Sequence, residues 1–254
     1  MKKLVVYDAS CPMCRLYTKG MTSADSSGYL TRISNDELTD NTVLNRIDQQ
    51  RARHEIPLVD LDGGETLYGV DTWIYAVSQH SNQIAKLLSQ NWLRTVLQKL
   101  YGFISYNRRI IITSAPGRWQ LLDLQPDFRL SYRLAFVLLV MGLVSGLHYA
   151  VDEPFEWPVF ALLGWQLGLV SLYSWLTKRP EFRETLLDYC GHLGMSLLVG
   201  GLVMAISAYF NWPLGLLVGS GLAITQHFIR IYRLGLNPWL SASFTLLYLL
   251  IILS

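Results

Sequence analysis

The sequence predicts an α/β domain at its N-terminus, followed by an all-α transmembrane bundle of about five helices. The first 128 residues contain 14 Lys and Arg and 13 Asp and Glu, whereas the rest of the chain contains only 7 and 6. Short apolar runs and amphipathic stretches alternate before residue 112, and long apolar runs follow residue 129. We therefore expect an α/β domain at residues 1–112, an interfacial linker at 113–129 and a transmembrane domain at 130–254.

The elements of the N-terminal domain are predicted in the order strand, helix, strand, helix, strand, strand, helix. Apolar or alternating runs bounded by turn residues mark the strands, and apolar residues at helical spacing mark the helices. Residues 62–65, Asp-Gly-Gly-Glu, predict a hairpin turn between the last two strands. The predicted strands are at residues 3–7, 29–33, 56–61 and 66–68, and the predicted helices are at residues 12–21, 35–47 and 72–79.

Two cysteines, Cys11 and Cys14, lie between the first predicted strand and the first predicted helix. At this spacing they can form a disulfide within one helical turn, and the N–H groups of the helix N-terminus stabilise a thiolate on Cys11. Pro12 fits the first helical position, where a missing N–H group is tolerated. The pattern indicates a redox-active dithiol in which Cys11 is the nucleophile and Cys14 resolves the mixed disulfide.

The residues around the cysteine pair leave alternatives open. The pair could be half of a zinc site, for which His54 and His80 are the other candidate ligands in this domain. Asp8 lies three residues before Cys11, where its carboxylate is a candidate to accept the proton of Cys14 as that thiol attacks. The alternative role of Asp8 is to cap the first helix. We favour the redox interpretation, without a metal.

This order of elements, with Cys-x-x-Cys after the first strand and Ile56-Pro57 at the start of the third, resembles the thioredoxin fold. The sequence Tyr-Asp-x-x-Cys-x-x-Cys at residues 7–14 is similar to the signature of the DCC family, a group of thioredoxin-like proteins. Two further segments resemble this family at comparable positions, namely Tyr68-Gly69-Val70-Asp71 and Tyr106-Asn107-Arg108-Arg109. The resemblance covers residues 3–112 and does not extend to the rest of the chain.

The resemblance implies a thioredoxin-like domain with thiol-disulfide oxidoreductase activity. It also implies a role for Ile56 and Pro57 in substrate binding. If their peptide bond is cis, the backbone of Ile56 faces the cysteine pair and can bind an extended substrate strand. Without the resemblance, a proline at the start of a strand is ordinary, and about one X-Pro bond in twenty is cis.

Apolar segments predict the transmembrane domain, and the charges between them predict its orientation. Basic clusters precede the first segment, separate the second from the third and follow the fourth, so these loops are expected in the cytosol. This places the N-terminal domain in the cytoplasm and the C-terminus outside, in a multi-pass protein of the inner (plasma) membrane. The five predicted spans are at residues 130–151, 157–176, 186–209, 214–231 and 239–253.

Polar residues inside apolar segments are unfavourable in a membrane, so they mark candidate sites. Three interpretations apply to them. Two of the histidines could ligate a haem or a metal, the group could form a proton or quinone site, or it could join helices by hydrogen bonds, with Asp188 paired to Arg230. This predicted intramembrane group comprises Asp188, Cys190, His192, His227 and Arg230.

The composition excludes some functions and leaves three hypotheses. A net charge of +2 gives no reason to expect a nucleic-acid partner, and three cysteines are too few for the disulfide framework of a small secreted domain. The first hypothesis is a membrane-tethered, cytosol-facing thiol-disulfide oxidoreductase whose only redox group is the dithiol and whose partners are the lipid bilayer and a thiol or disulfide protein. The second is a docking or assembly subunit bound to other membrane proteins. The third is a haem- or quinone-linked membrane redox protein.

Overall fold

The computed structural model describes residues 2–25, 28–113, 122–151 and 157–253. The chain divides into two compact units, unit 1 at Met1–Arg129 and unit 2 at Leu130–Ser254. Each unit is described by itself below.

Unit 1 contains a mixed four-stranded sheet. Its strands are β1 (Lys3–Tyr7), β2 (Leu30–Ser34), β3 (Pro57–Asp60) and β4 (Leu67–Tyr68), in the spatial order β2-β1-β3-β4. β1 pairs with β2 in parallel, and β3 pairs with β1 and with β4 in antiparallel orientation. The last residues of β1 lead directly into the cysteine loop, so the sheet fixes where that loop begins.

The described part of unit 1 also contains six helices. The predicted helix at 35–47 is shorter in the structure, because Asp40 caps it by accepting a 2.8 Å hydrogen bond from the Thr42 N–H group. Hydrogen bonds from Thr42 lower the pKa of Asp40 below its usual value. The helices of unit 1 are α1 (Pro12–Ala24), α2 (Asn41–Leu44), α3 (Gln49–Ala52), α4 (Val70–Ser78), α5 (Asn82–Leu88) and α6 (Asn91–Ile111).

The core of unit 1 has two parts, because adjacent residues of β1 point to opposite faces of the sheet. Val5 packs in one cluster, with Leu58 and Met21, whereas Val6 packs in the other. Leu122 and Leu124 are also buried in the Val6 cluster, although they belong to the predicted linker. The Asn35 side-chain amide donates a 2.9 Å hydrogen bond to the Leu122 carbonyl. Leu122 and Leu124 are therefore part of the hydrophobic core of unit 1.

The described residues of unit 2 form five helices and short turns, and most of these helices are apolar. Among the described residues, two helices, over Leu130–Leu147 and Phe182–Tyr209, are long and apolar enough to cross a membrane by length and composition. The helices of unit 2 are α7 (Leu130–Val151), α8 (Trp157–Leu176), α9 (Phe182–Tyr209), α10 (Gly215–Arg233) and α11 (Trp239–Leu253).

The predicted fold class, a thioredoxin-like domain followed by a five-helix transmembrane bundle, is wrong. The described residues form eleven helices and a sheet of only four strands, and two helices rather than five are candidate membrane spans. α11 has 15 residues, too few for the roughly 20 that a bilayer requires. α10 ends in Arg230 and Arg233, which lower its hydropathy. Apolar segments alone therefore overestimated the number of spans.

Glycines allow the helices of unit 2 to approach closely. A Cβ atom on Gly200 of α9 would lie 2.5 Å from the Gly219 carbonyl oxygen of α10. A Cβ atom on Gly194 would lie 2.8 Å from Val140 Cγ1 of α7. These contacts agree with the small-residue interfaces that are common between apolar helices.

Candidate functional site

Cys11 and Cys14 form a disulfide at the start of α1. Their Cα atoms are 5.2 Å apart, which lies in the usual range for a disulfide. Cys11 is the N-cap residue of α1, and its Sγ atom accepts a 3.1 Å hydrogen bond from the backbone N–H group of Cys14. Pro12 occupies the first turn. The same N–H group and the helix dipole would stabilise a thiolate on Cys11 in the reduced state.

Both cysteines of the motif are buried. Cys11 is 4% exposed and Cys14 is 1% exposed. Pro12, directly after Cys11, is exposed, and Leu16 one turn later is 73% exposed. The disulfide therefore lies beside an exposed apolar edge, and a partner must displace covering atoms to reach Sγ.

Asp8 holds the loop that precedes the cysteines. Its Oδ1 atom accepts hydrogen bonds from the backbone N–H group of Ser10 at 2.9 Å and from the Ser10 hydroxyl at 2.6 Å. Its Oδ2 atom lies 3.3 Å from Nη2 of Arg108, and both side chains are buried. The residue that caps α1 is Cys11, so Asp8 stabilises the turn before the helix instead.

Arg108 of α6 connects this loop to two other segments. Its guanidinium donates to the Arg53 carbonyl at 3.3 Å, to the Leu124 carbonyl and to the Ser105 hydroxyl at 3.3 Å. The Asp8–Arg108 pair joins residues that are 100 positions apart in the sequence. An ion pair buried in this way fixes the position of Asp8, since separating the charges would leave each without compensation.

Two tyrosines lie next to this pair. Tyr17 of α1 and Tyr101 of α6 are hydrogen-bonded through their hydroxyls, and both interact electrostatically with Arg108. Burial raises the pKa of both phenols, so both hydroxyls stay protonated near neutral pH. Tyr17 also packs against Trp73, with ring centroids 5.6 Å apart. Tyr17 and Tyr101 were not among the predicted site residues, although Tyr101 and Arg108, seven residues apart, share one face of α6.

The backbone of Ile56 is engaged within unit 1. Its N–H group donates to the Tyr101 hydroxyl at 3.0 Å, and its carbonyl accepts from Gly69 N at 3.0 Å and from Thr72 Oγ1 at 3.1 Å. The Ile56–Pro57 peptide bond is trans. A substrate strand would therefore have to replace hydrogen bonds that Ile56 already makes.

His54 does not join the cysteines in a metal site. Its Nε2 atom lies 2.9 Å from Asp127 Oδ2, and its ring stacks on Tyr106 with centroids 4.1 Å apart. Arg53 pairs with Asp127 and Asp123 at 2.5 and 2.7 Å. Burial lowers the pKa of His54. Among the residues that the structure describes, no three His, Cys, Asp or Glu side chains are grouped to hold a metal ion.

In unit 2 a buried hydrogen-bond network joins four helices at His227. The Tyr189 hydroxyl donates to Gln166 Oε1 at 2.7 Å and lies 3.2 Å from His227 Nε2. The other ring nitrogen of His227, Nδ1, lies 3.0 Å from the Ser241 hydroxyl. The His227 ring also stacks on Phe244, with centroids 4.2 Å apart. Both nitrogens of His227 thus have partners, and haem or metal ligation would require one of them to be displaced.

The remaining predicted intramembrane residues have other partners. Asp188 forms a 3.0 Å ion pair with Arg133 of α7, and not with Arg230 as the sequence suggested. Arg230 Nη1 instead lies 3.3 Å from His192 Nδ1, and both side chains are buried. Cys190 is a half-buried free thiol. The group is therefore divided among separate contacts between helices, and Asp188 has a different partner from the predicted Arg230.

Comparison of the chain with protein-family models, with curated proteins and with solved structures gives no match.

Proposed function

We propose that the chain is a membrane-associated thiol-disulfide oxidoreductase whose working group is the pair Cys11 and Cys14. The observation that carries this proposal is the geometry of the helix start. Cys11 Sγ accepts the Cys14 N–H group at 3.1 Å at the N-cap of α1, and the two cysteines are within disulfide distance. Such a position favours a thiolate on the first cysteine and places the second to resolve it.

The proposed reaction transfers two electrons from the dithiol to a substrate disulfide. The Cys11 thiolate attacks one substrate sulfur, forms a mixed disulfide and releases the other substrate sulfur as a thiolate, which takes up a proton. Cys14 then loses its proton to Asp8 and attacks Cys11 Sγ, which forms the Cys11–Cys14 disulfide and releases the second substrate thiol. A dithiol reductant must then reduce this disulfide before the next turnover.

The burial of the cysteines determines how a partner would approach. Pro12 and Leu16 are exposed beside Cys11, so we propose that the substrate protein docks on this apolar edge. Docking must then open the turn that Asp8 holds through Ser10. Ile56 and Pro57 are given no role in this proposal, because the backbone groups of Ile56 already have partners.

The two candidate spans support attachment to a membrane, and the basic residues support an orientation. Arg133 contacts Asp188 near the starts of α7 and α9. Arg179, between α8 and α9, donates from Nη2 at 2.5 Å to the carbonyl of Gly235, which lies between α10 and α11. These basic residues lie at helix ends where loops meet. We propose that this end faces the cytosol, with unit 1 in the cytoplasm, at the inner (plasma) membrane.

The resemblance to the DCC family becomes part of the same proposal. Asp8 from the cysteine motif and Arg108 from the Tyr-Asn-Arg-Arg segment were both singled out by that resemblance, and they form one buried ion pair. Because this ion pair positions the turn before Cys11, it gives a physical reason why the cysteine motif and the Tyr-Asn-Arg-Arg segment occur in the same sequence.

The proposal is tested by trapping the mixed disulfide in cells. A Cys14→Ser variant should accumulate mixed disulfides with partner proteins, because the resolving thiol is absent. These species should disappear in dithiothreitol and in the Cys11→Ser, Cys14→Ser double variant. Cys190→Ser is the matched control and should trap nothing. Absence of trapped species, with a Cys11→Ser strain unchanged in its cellular thiol balance, would reject the proposal.

One observation favours a docking role as a second candidate. Trp92, Val96, Leu100 and Ile104 are exposed at four-residue spacing along α6, which forms an apolar stripe. Such a stripe is typical of a surface that binds another protein. Co-purification of partner proteins distinguishes the two candidate functions. A partner retained by a Cys11→Ser, Cys14→Ser variant but lost by Leu100→Glu would favour docking.

A further inference from the structure

A cavity opens at the turn between α8 and α9 in unit 2. Its volume is about 880 Å³, and its walls are mostly apolar side chains. Leu172, Trp175 and Phe182 contribute to these walls and are exposed. A cavity of this size can hold part of an acyl chain, and exposed tryptophan is typical of the boundary between a bilayer and water.

The rim of the cavity is cationic. Lys178 and Arg179 line it, and no carboxylate is among the lining residues that the structure describes. Arg179 is held in place, since it donates to the Gly235 carbonyl at 2.5 Å and lies 5.7 Å from the centre of the Tyr173 ring. A positioned guanidinium beside an ammonium group matches a phosphate diester.

Ser174 provides an independent indication of a polar ligand. It lines the same cavity and is only 2% exposed. Its hydroxyl has no hydrogen-bond partner within the described part of the chain. A hydroxyl buried without a partner is unfavourable, so a ligand atom that accepts its hydrogen would be stabilising.

The backbone at Lys178 adds a third observation. Lys178 has φ of 50° and follows α8, and its N–H group donates to the Trp175 carbonyl while that of Arg179 donates to the Ser174 carbonyl. This is the helix ending in which glycine is the usual residue at the left-handed position. A lysine there places a cation at the rim in spite of an unfavourable backbone conformation.

We propose that this cavity binds one anionic phospholipid. The phosphate lies at Lys178 and Arg179, the Ser174 hydroxyl donates to a polar oxygen of the lipid, and an acyl chain runs along Leu172 and Trp175. The inference rests on the proposed membrane association, but it is independent of the cysteine chemistry.

The experiment uses the full chain in phosphatidylcholine vesicles with brominated lipids, which quench nearby tryptophan fluorescence. The chain has 8 tryptophans, so the signal of Trp175 is obtained by difference from a Trp175→Phe variant. Brominated phosphatidylglycerol should quench Trp175 more strongly than brominated phosphatidylcholine at equal mole fraction. Lys178→Gln should lower this preference about fivefold, the effect expected for one cation near an anionic lipid.

Three further variants keep the test specific. Lys86→Gln, which removes an exposed cation from unit 1, should leave the preference unchanged. Lys178→Gly should lower the preference as Lys178→Gln does, while the melting temperature stays equal or rises because glycine fits φ of 50°. Ser174→Ala should lower the preference without unfolding the chain. A Lys178→Gly variant that keeps the full preference would overturn the proposal.

The remaining outcomes are also decisive. If the chain floats with vesicles but the two brominated lipids quench Trp175 equally, the lipid site is overturned and the membrane association stands. A chain that does not float with vesicles overturns the membrane association and the site with it. If soluble glycerol phosphate, added to the vesicles, abolishes the preference for brominated phosphatidylglycerol, the ligand is a free phosphate and the assignment to an intact lipid is overturned.

Discussion

The cysteine loop of unit 1 and the His227 network of unit 2 hold their buried polar groups in different ways. In unit 1 the carboxylate of Asp8 is paired with the guanidinium of Arg108. In unit 2 the buried His227 is surrounded by the uncharged side chains of Tyr189 and Ser241. Removing one member of an ion pair leaves a buried charge, whereas removing one uncharged partner leaves only an unmade hydrogen bond. The cysteine loop should therefore be more sensitive to substitution than the network in unit 2.

The largest effect is expected for Arg108→Met. This variant leaves the Asp8 carboxylate buried without its cation, which should lower the free energy of unfolding of unit 1 by about 3–5 kcal/mol. Urea titration followed by hydrogen exchange of the β1 and β3 amides measures it. An Asp8→Asn, Arg108→Met double variant should recover much of the loss. If the single and double variants are equally stable, the pair does not hold the loop.

The next effect is steric and belongs to unit 2. Gly200→Ala places a Cβ atom 2.5 Å from the Gly219 carbonyl oxygen, so α9 and α10 must separate. We expect a loss of about 1–3 kcal/mol, measured as a lower melting temperature in detergent. Gly221→Ala is the matched control, because a Cβ atom there meets nothing within 4 Å. Equal melting temperatures for the two variants would show that the helices are less closely packed.

An effect of similar or smaller size is expected for Tyr189→Phe, which removes the hydroxyl between Gln166 and His227. The loss should be about 1–3 kcal/mol, toward the lower end if the two former partners contact each other directly. The control is Tyr232→Phe, since Tyr232 is 81% exposed. A Tyr189→Phe loss as large as that of Arg108→Met would contradict the contrast between the cysteine loop and the His227 network.

The smallest effect is a pH dependence in unit 1. Burial lowers the pKa of His54, so the unfolded chain binds a proton more readily than the folded chain does. The stability that His54 contributes is therefore present above its unfolded pKa of about 6.5 and decreases as the pH falls below that value. Melting temperatures between pH 7.5 and 5 should show this slope, and His54→Gln should flatten it. A slope of opposite sign would mean that the ion pair with Asp127 raises the pKa of His54 by more than burial lowers it.

Local patterns in the sequence located much of unit 1. The apolar runs and the turn at residues 62–65 placed the four strands to within one or two residues, because the signals for strands and hairpins are local. The cysteine spacing located the start of α1 for the same reason. The helix predicted at 35–47 was overextended, since Asp40 competes with the helix by capping a later start.

The long-range features could not be predicted from spacing. Nothing local to Asp8 or Arg108 indicates that residues 100 positions apart form an ion pair. The burial of Cys11 depends on what packs over the loop, which no motif specifies. In unit 2, apolar segments indicated five spans, but length and composition leave two candidates among the described helices. A high mean hydropathy shows that a segment avoids water, and it does not distinguish a helix buried inside a protein from one that spans a membrane.

The burial of Leu122 and Leu124 has a practical consequence for producing unit 1 alone. A fragment that ends at residue 112 would lack two leucines that are 0% and 3% exposed beside Val6 and Val59. It would also lack the Leu124 carbonyl that accepts from Arg108. Cavities of leucine size typically lower stability by about 2–5 kcal/mol each, which is a large part of the stability of a small domain. Soluble expression of the dithiol unit should therefore extend to Arg129.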